Sequence, residues 1–131
     1  MIQGFKTLLT REVPLYTREA IEPMFRKLLP SFKARTNLTD VDIADFDWAL
    51  HPGGEAIIEG AKQRLQLTDD QLRATREIYR TRGNSSSAAV LVVWDRLRNM
   101  GRGRDILVAT SFGPGLMIEM AMLKRLRFEE T

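Results

Sequence analysis

The only histidine of the chain, His51, lies in the stretch WALHPGGEAIIEG, where a strand pattern gives way to a helix pattern. Ligands of α/β folds bind at the carboxyl ends of strands, and a helix N-terminus there attracts negative charge. Gly53 and Gly54 carry no side chain that would keep a substrate away from the backbone. The segment therefore predicts a site for an anionic ligand, with a helix-entry turn and an incidental imidazole as the plainer alternative.

A second polar side chain, Asn84, lies in the segment RGNSSSA between two helix patterns. An amide at a helix N-terminus can donate a hydrogen bond to a carbonyl oxygen on which negative charge develops. Capping is a simpler explanation, since Gly83 suits the end of one helix and Asn or Ser suits the start of the next. Considered alone, this stretch favours capping.

The segment SFGPG, residues 111–115, consists of turn formers between two apolar runs. Such residues are typical of a hairpin turn. The same rigid turn of small residues would also form a close wall of a cavity, and both interpretations stay open.

Hydrophobic periodicity predicts the elements that must hold these residues in place. Strands are expected over residues 5–10, 46–50, 105–111 and 116–126, the last two antiparallel. Helices are expected over residues 14–29, 55–67, 71–81 and 86–100, the last one buried. Pro23 should kink or divide the first helix and Pro30 should end it, with a loop over residues 31–39. This order predicts a layered α/β fold in which helices cover a mixed sheet.

Composition limits the class of protein. With 131 residues, of which 44% are hydrophobic, the chain suits a single domain over residues 1–131 with its own core. It contains no cysteine, which excludes disulfides, thiolate metal sites and a thiol nucleophile from these residues, and we expect no metal. No apolar run approaches the ~18 residues of a membrane span, so we expect a cytoplasmic protein with no membrane partner.

The net charge is +3, with basic residues clustered over residues 96–104 and 124–127. Either cluster could contact nucleic acid or the phosphates of a nucleotide-like ligand. No aromatic residue is interleaved in these clusters, and two glutamates follow the second one. A solvated helix end and tail are therefore favoured, and no nucleic-acid partner is predicted.

The motifs become specific in combination. HPGG is followed by Ala56 and Ile57, then by ATREI at residues 74–78, GNSSS at 83–87, FGPG at 112–115 and Ile-Glu at 118–119. In this order they resemble the C-terminal part of the type III polyketide synthases, the chalcone synthase-like branch of the thiolase-fold condensing enzymes. The resemblance covers residues 4–126 and implies a thiolase-like half-domain.

The resemblance implies an acyltransferase. In the family a cysteine holds a starter acyl group as a thioester, and a histidine, here His51, helps to keep that cysteine as a thiolate. His51 and Asn84 are the implied catalytic residues, because they match the pair that donates hydrogen bonds to the thioester carbonyl of malonyl-CoA. Loss of CO2 leaves an enolate that the same donors stabilise, and the enolate attacks the acyl-cysteine.

The implied substrate-binding positions fall in the HPGG turn with the helix start near the CoA arm, in the Asn84 segment, and in the FGPG wall of the cavity. They are Gly53, Gly54, Ala56, Ser86, Phe112, Gly113 and Pro114. Acyl-CoA and malonyl-CoA are expected as substrates, and no cofactor is expected.

The chain departs from the family in lacking cysteine, which the family carries in an N-terminal half that this sequence does not contain. We therefore expect no condensation by the chain alone. We expect a homodimer, or the missing half, to cover exposed sheet edges and apolar faces. The alternative is a non-catalytic, truncated paralogue that binds a synthase or a CoA-like ligand. A weaker alternative is malonyl-CoA decarboxylation without condensation, which the two donors alone would support.

Overall fold

The computed structural model describes residues 10–101 and 103–126 of the chain. The described elements are α1 (Val13–Thr36), β1 (Phe46–Leu50), α2 (Glu55–Leu65), α3 (Arg73–Arg82), α4 (Ala89–Arg98), β2 (Ile106–Gly113) and β3 (Met117–Lys124). Short 3-10 turns at Ile43–Asp45 and Ser86–Ala88 precede β1 and α4. The strand predicted over residues 5–10 lies outside the described residues except for Thr10, which belongs to no element.

The three strands form one mixed sheet in the order β1-β2-β3. β1 runs parallel to β2, with Leu50 beside Thr110, and β2 turns back into β3, with Phe112 opposite Ile118. A strand in a parallel pair that is covered on both faces should be buried throughout, and every residue of β1 is buried. The predicted layered α/β fold with a mixed sheet is confirmed.

Helices cover both faces of this sheet. Successive side chains of a strand point to opposite faces, so Trp48 and Leu50 of β1 join the core formed with α1 and α2. Ala49 of β1 and Leu107 of β2 join a second core formed with α3 and α4. The carboxyl end of β1, where His51 follows, is thereby held between two helical layers.

Helix α1 does not stop where its prolines predicted. It continues through Pro23 and Pro30 to Thr36, so neither proline divides or ends it, and the predicted loop over residues 31–39 is present only at residues 37–39. The buried stripe of the helix, which consists of Thr17, Ile21, Phe25, Leu29 and Phe32, runs on past both prolines. Both prolines lie on the exposed side, where water can reach the carbonyls that lose their N–H partners, so tertiary packing outweighs the local cost.

Strand β1 has the predicted bounds, and the other predicted elements within the described residues exist with different ends. Phe112 and Gly113 lie in β2 rather than in the turn, which is formed by residues 114–116. Helix α2 ends at Leu65 because Gln66 adopts a left-handed conformation, with φ 54°. The predicted helix over residues 86–100 is shorter and is buried on one face only, since Leu91 is 59% exposed and Trp94 37%.

The two edges of the sheet differ. No described strand pairs with the outer edge of β3, whose first residue, Met117, is 62% exposed. At the outer edge of β1, Trp48 N donates to Gln71 O at 3.1 Å, and Gln71 Nε2 donates to Phe46 O at 2.9 Å. Among the described residues, the expected exposed edge is therefore found at β3 and not at β1, where the segment that precedes α3 takes the place of a strand.

Candidate active site

His51 directly follows β1 and is anchored through its backbone. Its N–H donates to the carbonyl oxygen of Thr110 at 2.9 Å, which extends the parallel pairing with β2 by one residue. Its own carbonyl accepts from the N–H of Gly53 at 2.8 Å and closes the turn that leads into α2. The backbone at the end of a buried strand thus determines the position of the imidazole.

The imidazole is packed rather than solvated, since the residue is only 7% exposed. Its ring meets the ring of Phe112 edge to face, with centroids 6.3 Å apart. A β-carbon placed on Gly53 would lie 3.1 Å from His51 Cδ2 and 3.0 Å from Ile57 Cδ1, so only glycine fits there without displacement. The group that lies close to Gly53 is the imidazole of His51, and the approach of a substrate to this backbone stays a prediction.

Burial lowers the pKa of His51 from its ordinary value of 6.5. The imidazole is therefore neutral near pH 7 and carries one N–H and one lone pair. Its Nδ1 is buried and has no hydrogen-bond partner among the described residues. A neutral ring of this kind can donate one hydrogen bond to a carbonyl oxygen.

Asn84 reaches the same turn from the far end of α3. Gly83 ends that helix with φ 65° and its N–H bonded to Tyr79 O, which confirms the predicted C-cap. Asn84 Nδ2 then lies 3.4 Å from the carbonyl oxygen of Gly53, and Asn84 Oδ1 accepts from the N–H of Ser86 at 2.9 Å. The amide therefore has its oxygen occupied and its NH2 group directed toward the turn that follows His51.

The remaining predicted site residues surround this meeting point unevenly. Gly54 starts α2, where its carbonyl accepts from the N–H of Ile57 and of Ile58, and Ala56 is exposed in the first helical turn. Ser86 is exposed and adopts a left-handed φ of 62°. Gly113 and Pro114 are exposed at the tip of the β2–β3 hairpin. The structure brings His51, Gly53, Asn84 and Phe112 together and places the others at the rim.

Sequence reasoning missed the contribution of α3 to this site. The hydroxyl of Thr75 accepts from the N–H of Leu50 at 3.1 Å and lies 3.0 Å from the carbonyl oxygen of the same residue. Leu50 immediately precedes His51. A fully buried hydroxyl residue on the apolar face of a predicted helix was the signal that could have pointed to it, because such a group needs a partner.

The ATREI segment ties further elements to the same helix. Arg76 pairs with Glu55 at 2.8 Å and also with Glu59, both in the first half of α2. Glu77 pairs with Arg96 of α4 at 2.9 Å. Helix α3 thus contacts β1, α2 and α4.

Several members of the two basic clusters are not solvated. Arg104 pairs with Asp47 at 2.9 Å and with Asp70 at 2.8 Å, and Arg125 pairs with Asp47 at 3.4 Å. Asp47 is fully buried and also binds Arg73. These arginines serve internal ion pairs, which differs from the predicted solvated helix end and tail.

The chain matches the family of chalcone and stilbene synthases, C-terminal domain, over residues 2–127. It is 60% identical to the type III polyketide synthase pspB of Penicillium soppii, over 98% of this chain and 35% of that protein. The fold and the match together define the class: the chain belongs to the chalcone and stilbene synthase C-terminal domain family, and its fold is of the thiolase type.

Solved structures agree with this assignment. A type III pentaketide synthase from Neurospora crassa superposes with a TM-score of 0.87 at 37% identity, over 94% of this chain and 35% of that one. A structure of CsyB complexed with CoA-SH superposes with a TM-score of 0.80 at 28% identity, over 91% of this chain and 33% of that one. The chain therefore spans close to a third of the length of these relatives.

No helix within the described part of the chain is long and apolar enough to cross a membrane. No group of three or more histidine, aspartate or glutamate side chains there is arranged to hold a metal ion.

Proposed function

We propose that this chain supplies the histidine–asparagine half of a type III polyketide synthase active site. The reaction is decarboxylative condensation of malonyl-CoA onto an acyl-CoA starter, which makes the complete assembly an acyltransferase. The observation that carries the proposal is the 3.4 Å approach of Asn84 Nδ2 to the carbonyl of Gly53, two residues after His51. Two N–H donors from distant segments are thereby brought to one turn.

The chemistry follows from that pair of donors. The thioester carbonyl of malonyl-CoA accepts hydrogen bonds from the His51 imidazole and the Asn84 amide. When the bond to the carboxylate breaks, its electron pair enters an enolate and CO2 leaves, and both donors stabilise the charge that develops on the enolate oxygen. The enolate carbon then attacks an acyl thioester, and the cysteine thiolate departs.

The burial and the protonation state of His51 support its role as a hydrogen-bond donor. A buried, neutral imidazole donates without carrying a charge of its own, and its lowered pKa keeps it neutral at the pH of the cytoplasm, where we place the reaction. The attacked thioester needs a cysteine, and this sequence contains none. The nucleophile must therefore come from another polypeptide segment, and the 131 residues alone are expected to form no polyketide.

The proposed substrate contacts follow the rim residues. Gly54 and Ala56 would face the CoA arm, while Ser86, Phe112, Gly113 and Pro114 would line the cavity that holds the growing chain. CsyB, a structural relative, has been solved with CoA-SH, which supports CoA thioesters as ligands. No cofactor is required by this chemistry.

A second candidate is a non-catalytic binding protein that pairs with a synthase or with a second copy of itself. It is favoured by the exposure of Leu91 and Trp94 along α4 and of Met117 at the edge of β3, with which no described strand pairs. Exposed apolar side chains of this size mark surfaces that a partner covers. The same surfaces would serve the catalytic proposal, so activity has to separate the two.

A complementation assay distinguishes the catalytic proposal from the binding candidate. The part of Penicillium soppii pspB that precedes its match to this chain is co-expressed with the 131 residues, and the mixture is incubated with labelled malonyl-CoA and a fatty acyl-CoA. We expect labelled polyketide only when both pieces are present. Asn84→Ala should reduce the product about 100- to 1,000-fold, as loss of one oxyanion donor does, and His51→Ala should abolish it.

Asn99→Ala is the matched control, because Asn99 is an exposed asparagine at the end of α4 whose side-chain amide donates to Asp95, outside the proposed site. Product from the 131 residues alone would contradict the proposal. So would complementation by the corresponding segment of pspB itself when this chain fails under the same conditions. In that case the binding candidate stands.

A further inference from the structure

The carboxyl end of β1 is held from two sides by different kinds of partner. On one side His51 N donates to Thr110 O at 2.9 Å, as expected for a parallel strand pair. On the other side no described strand is present, and the side chain of Thr75, from α3, contacts Leu50 instead. Because Leu50 precedes His51, this single side chain holds the last residue of the strand before the imidazole.

The hydroxyl of Thr75 is used in an unusual way for a threonine in a helix. Thr36 and Thr81 each donate to the carbonyl four residues earlier in their own helix, which is the common local bond. Thr75 accepts from Leu50 N at 3.1 Å and donates across the layer boundary, to Leu50 O at 3.0 Å or to Trp48 O at 3.3 Å. It is fully buried, so in the native protein solvent water does not compete for these backbone groups.

The imidazole depends on this backbone anchor. Its Nδ1 lacks a hydrogen-bond partner among the described residues, and its ring is located by packing against Phe112 and the α-carbon of Gly53. A side chain placed by packing alone follows the movement of its own backbone. A shift of Leu50 would therefore move the ring of His51 relative to Asn84.

We propose that Thr75 is a positioning residue for His51: its hydroxyl pins Leu50 and so sets the place of the imidazole beside the Gly53 turn. The consequence for catalysis rests on the proposed function, whereas the positioning itself does not. Thr75 touches no substrate in this scheme, and its effect is transmitted through the backbone of Leu50.

The test uses the single histidine of the chain, so that each signal reports on His51 alone. Thr75→Val keeps the shape of the side chain and removes the hydroxyl. We expect carbethoxylation of His51 by diethyl pyrocarbonate to become about two- to tenfold faster, the range that one or two lost hydrogen bonds allow. The imidazole Hε1 signal in NMR spectra should shift, and Thr75→Ser should restore both readouts.

Thr17→Val is the matched control. Thr17 is also a buried threonine whose hydroxyl donates to a backbone carbonyl, that of Pro14 at 2.9 Å, but it lies in α1. It should lower the melting temperature without changing either signal of His51. If Thr75→Val does not fold, Thr75→Ala, which leaves room for a water at the strand edge, is compared with Thr17→Ala.

Thr75 variants that melt lower but leave the carbethoxylation rate and the Hε1 signal as in the Thr17 variants would overturn the proposal and leave Thr75 a purely structural residue. Neither readout requires polyketide formation. A failed complementation assay therefore leaves this inference intact, and an unchanged His51 signal leaves the proposed function intact.

Discussion

The α-carbon of Gly53 lies so near the ring of His51 that a β-carbon at position 53 would be 3.1 Å from Cδ2 and 3.4 Å from Nε2. The turn and the imidazole therefore occupy one packed unit. A side chain at position 53 would have to displace either the histidine ring, which is part of the proposed site, or the side chain of Ile57.

Gly53→Ala tests this contact. We expect a loss of about 1–3 kcal/mol in the free energy of unfolding, as for an overpacked site, measured by urea denaturation. Gly60→Ala is the control, because a β-carbon there meets Arg18 Cβ at an ordinary 3.5 Å and Gly60 lies inside α2. That change should stabilise the helix by up to about 1 kcal/mol. Equal stability of the two variants would contradict the packing described.

The stability of the chain should depend on pH through His51. Burial lowers the pKa of the folded imidazole below 6.5, so the unfolded chain binds the proton more readily. The contribution of the neutral His51 imidazole to the free energy of unfolding is fully present above pH 6.5. It is lost as the pH falls through the lower pKa of the folded state. Urea denaturation on both sides of pH 6.5 measures it. His51→Gln should remove this dependence, and parallel pH curves for the two proteins would contradict it.

Replacing Asp47 should destabilise the chain more than replacing most other charged residues. Burial raises the pKa of this carboxyl, but hydrogen bonds from Arg73 and Arg104 outweigh that effect and hold the pKa below its usual 3.8. Asp47→Asn leaves these arginines without their counter-charge, and we expect a loss of about 3 kcal/mol or more in thermal or urea unfolding. Asp69→Asn, at an exposed pair with Lys62, should change little. Similar losses in both variants would argue against a special role for the buried carboxylate.

Because α1 continues through its prolines, replacing one of them should stabilise the chain, in contrast to the loss of stability expected for Asp47→Asn. Pro30 lies away from both ends of the helix, on its exposed side, and its ring nitrogen cannot donate the usual backbone hydrogen bond. Pro30→Ala should therefore stabilise the chain by about 1–3 kcal/mol. Pro14 lies in the first turn, where no partner is lost, and Pro14→Ala should have little effect. Differential scanning calorimetry compares the two. A destabilised Pro30→Ala protein would show that the helix needs the proline.

The sequence located the elements of the site better than their ends. Strand β1 was predicted with the correct bounds, because a short apolar run between turn signals leaves few other structures. The hairpin was placed two residues early, since Phe112 and Gly113 look like turn formers but pair with β3. The course of α1 was wrong because local proline chemistry competes with a buried stripe that only the sheet defines.

Local patterns and ordered motifs were enough to indicate the mixed α/β fold, the family, and the residues His51 and Asn84, whose catalytic roles stay a prediction. They were enough because hydrophobic period, glycine turns and motif order are properties of neighbouring residues. The meeting of Asn84 with the Gly53 turn, the hydroxyl of Thr75 on Leu50 and the arginines around Asp47 emerged only from the folded chain. Each of these contacts joins residues more than twenty positions apart, and burial makes the choice of partner decisive in the last two.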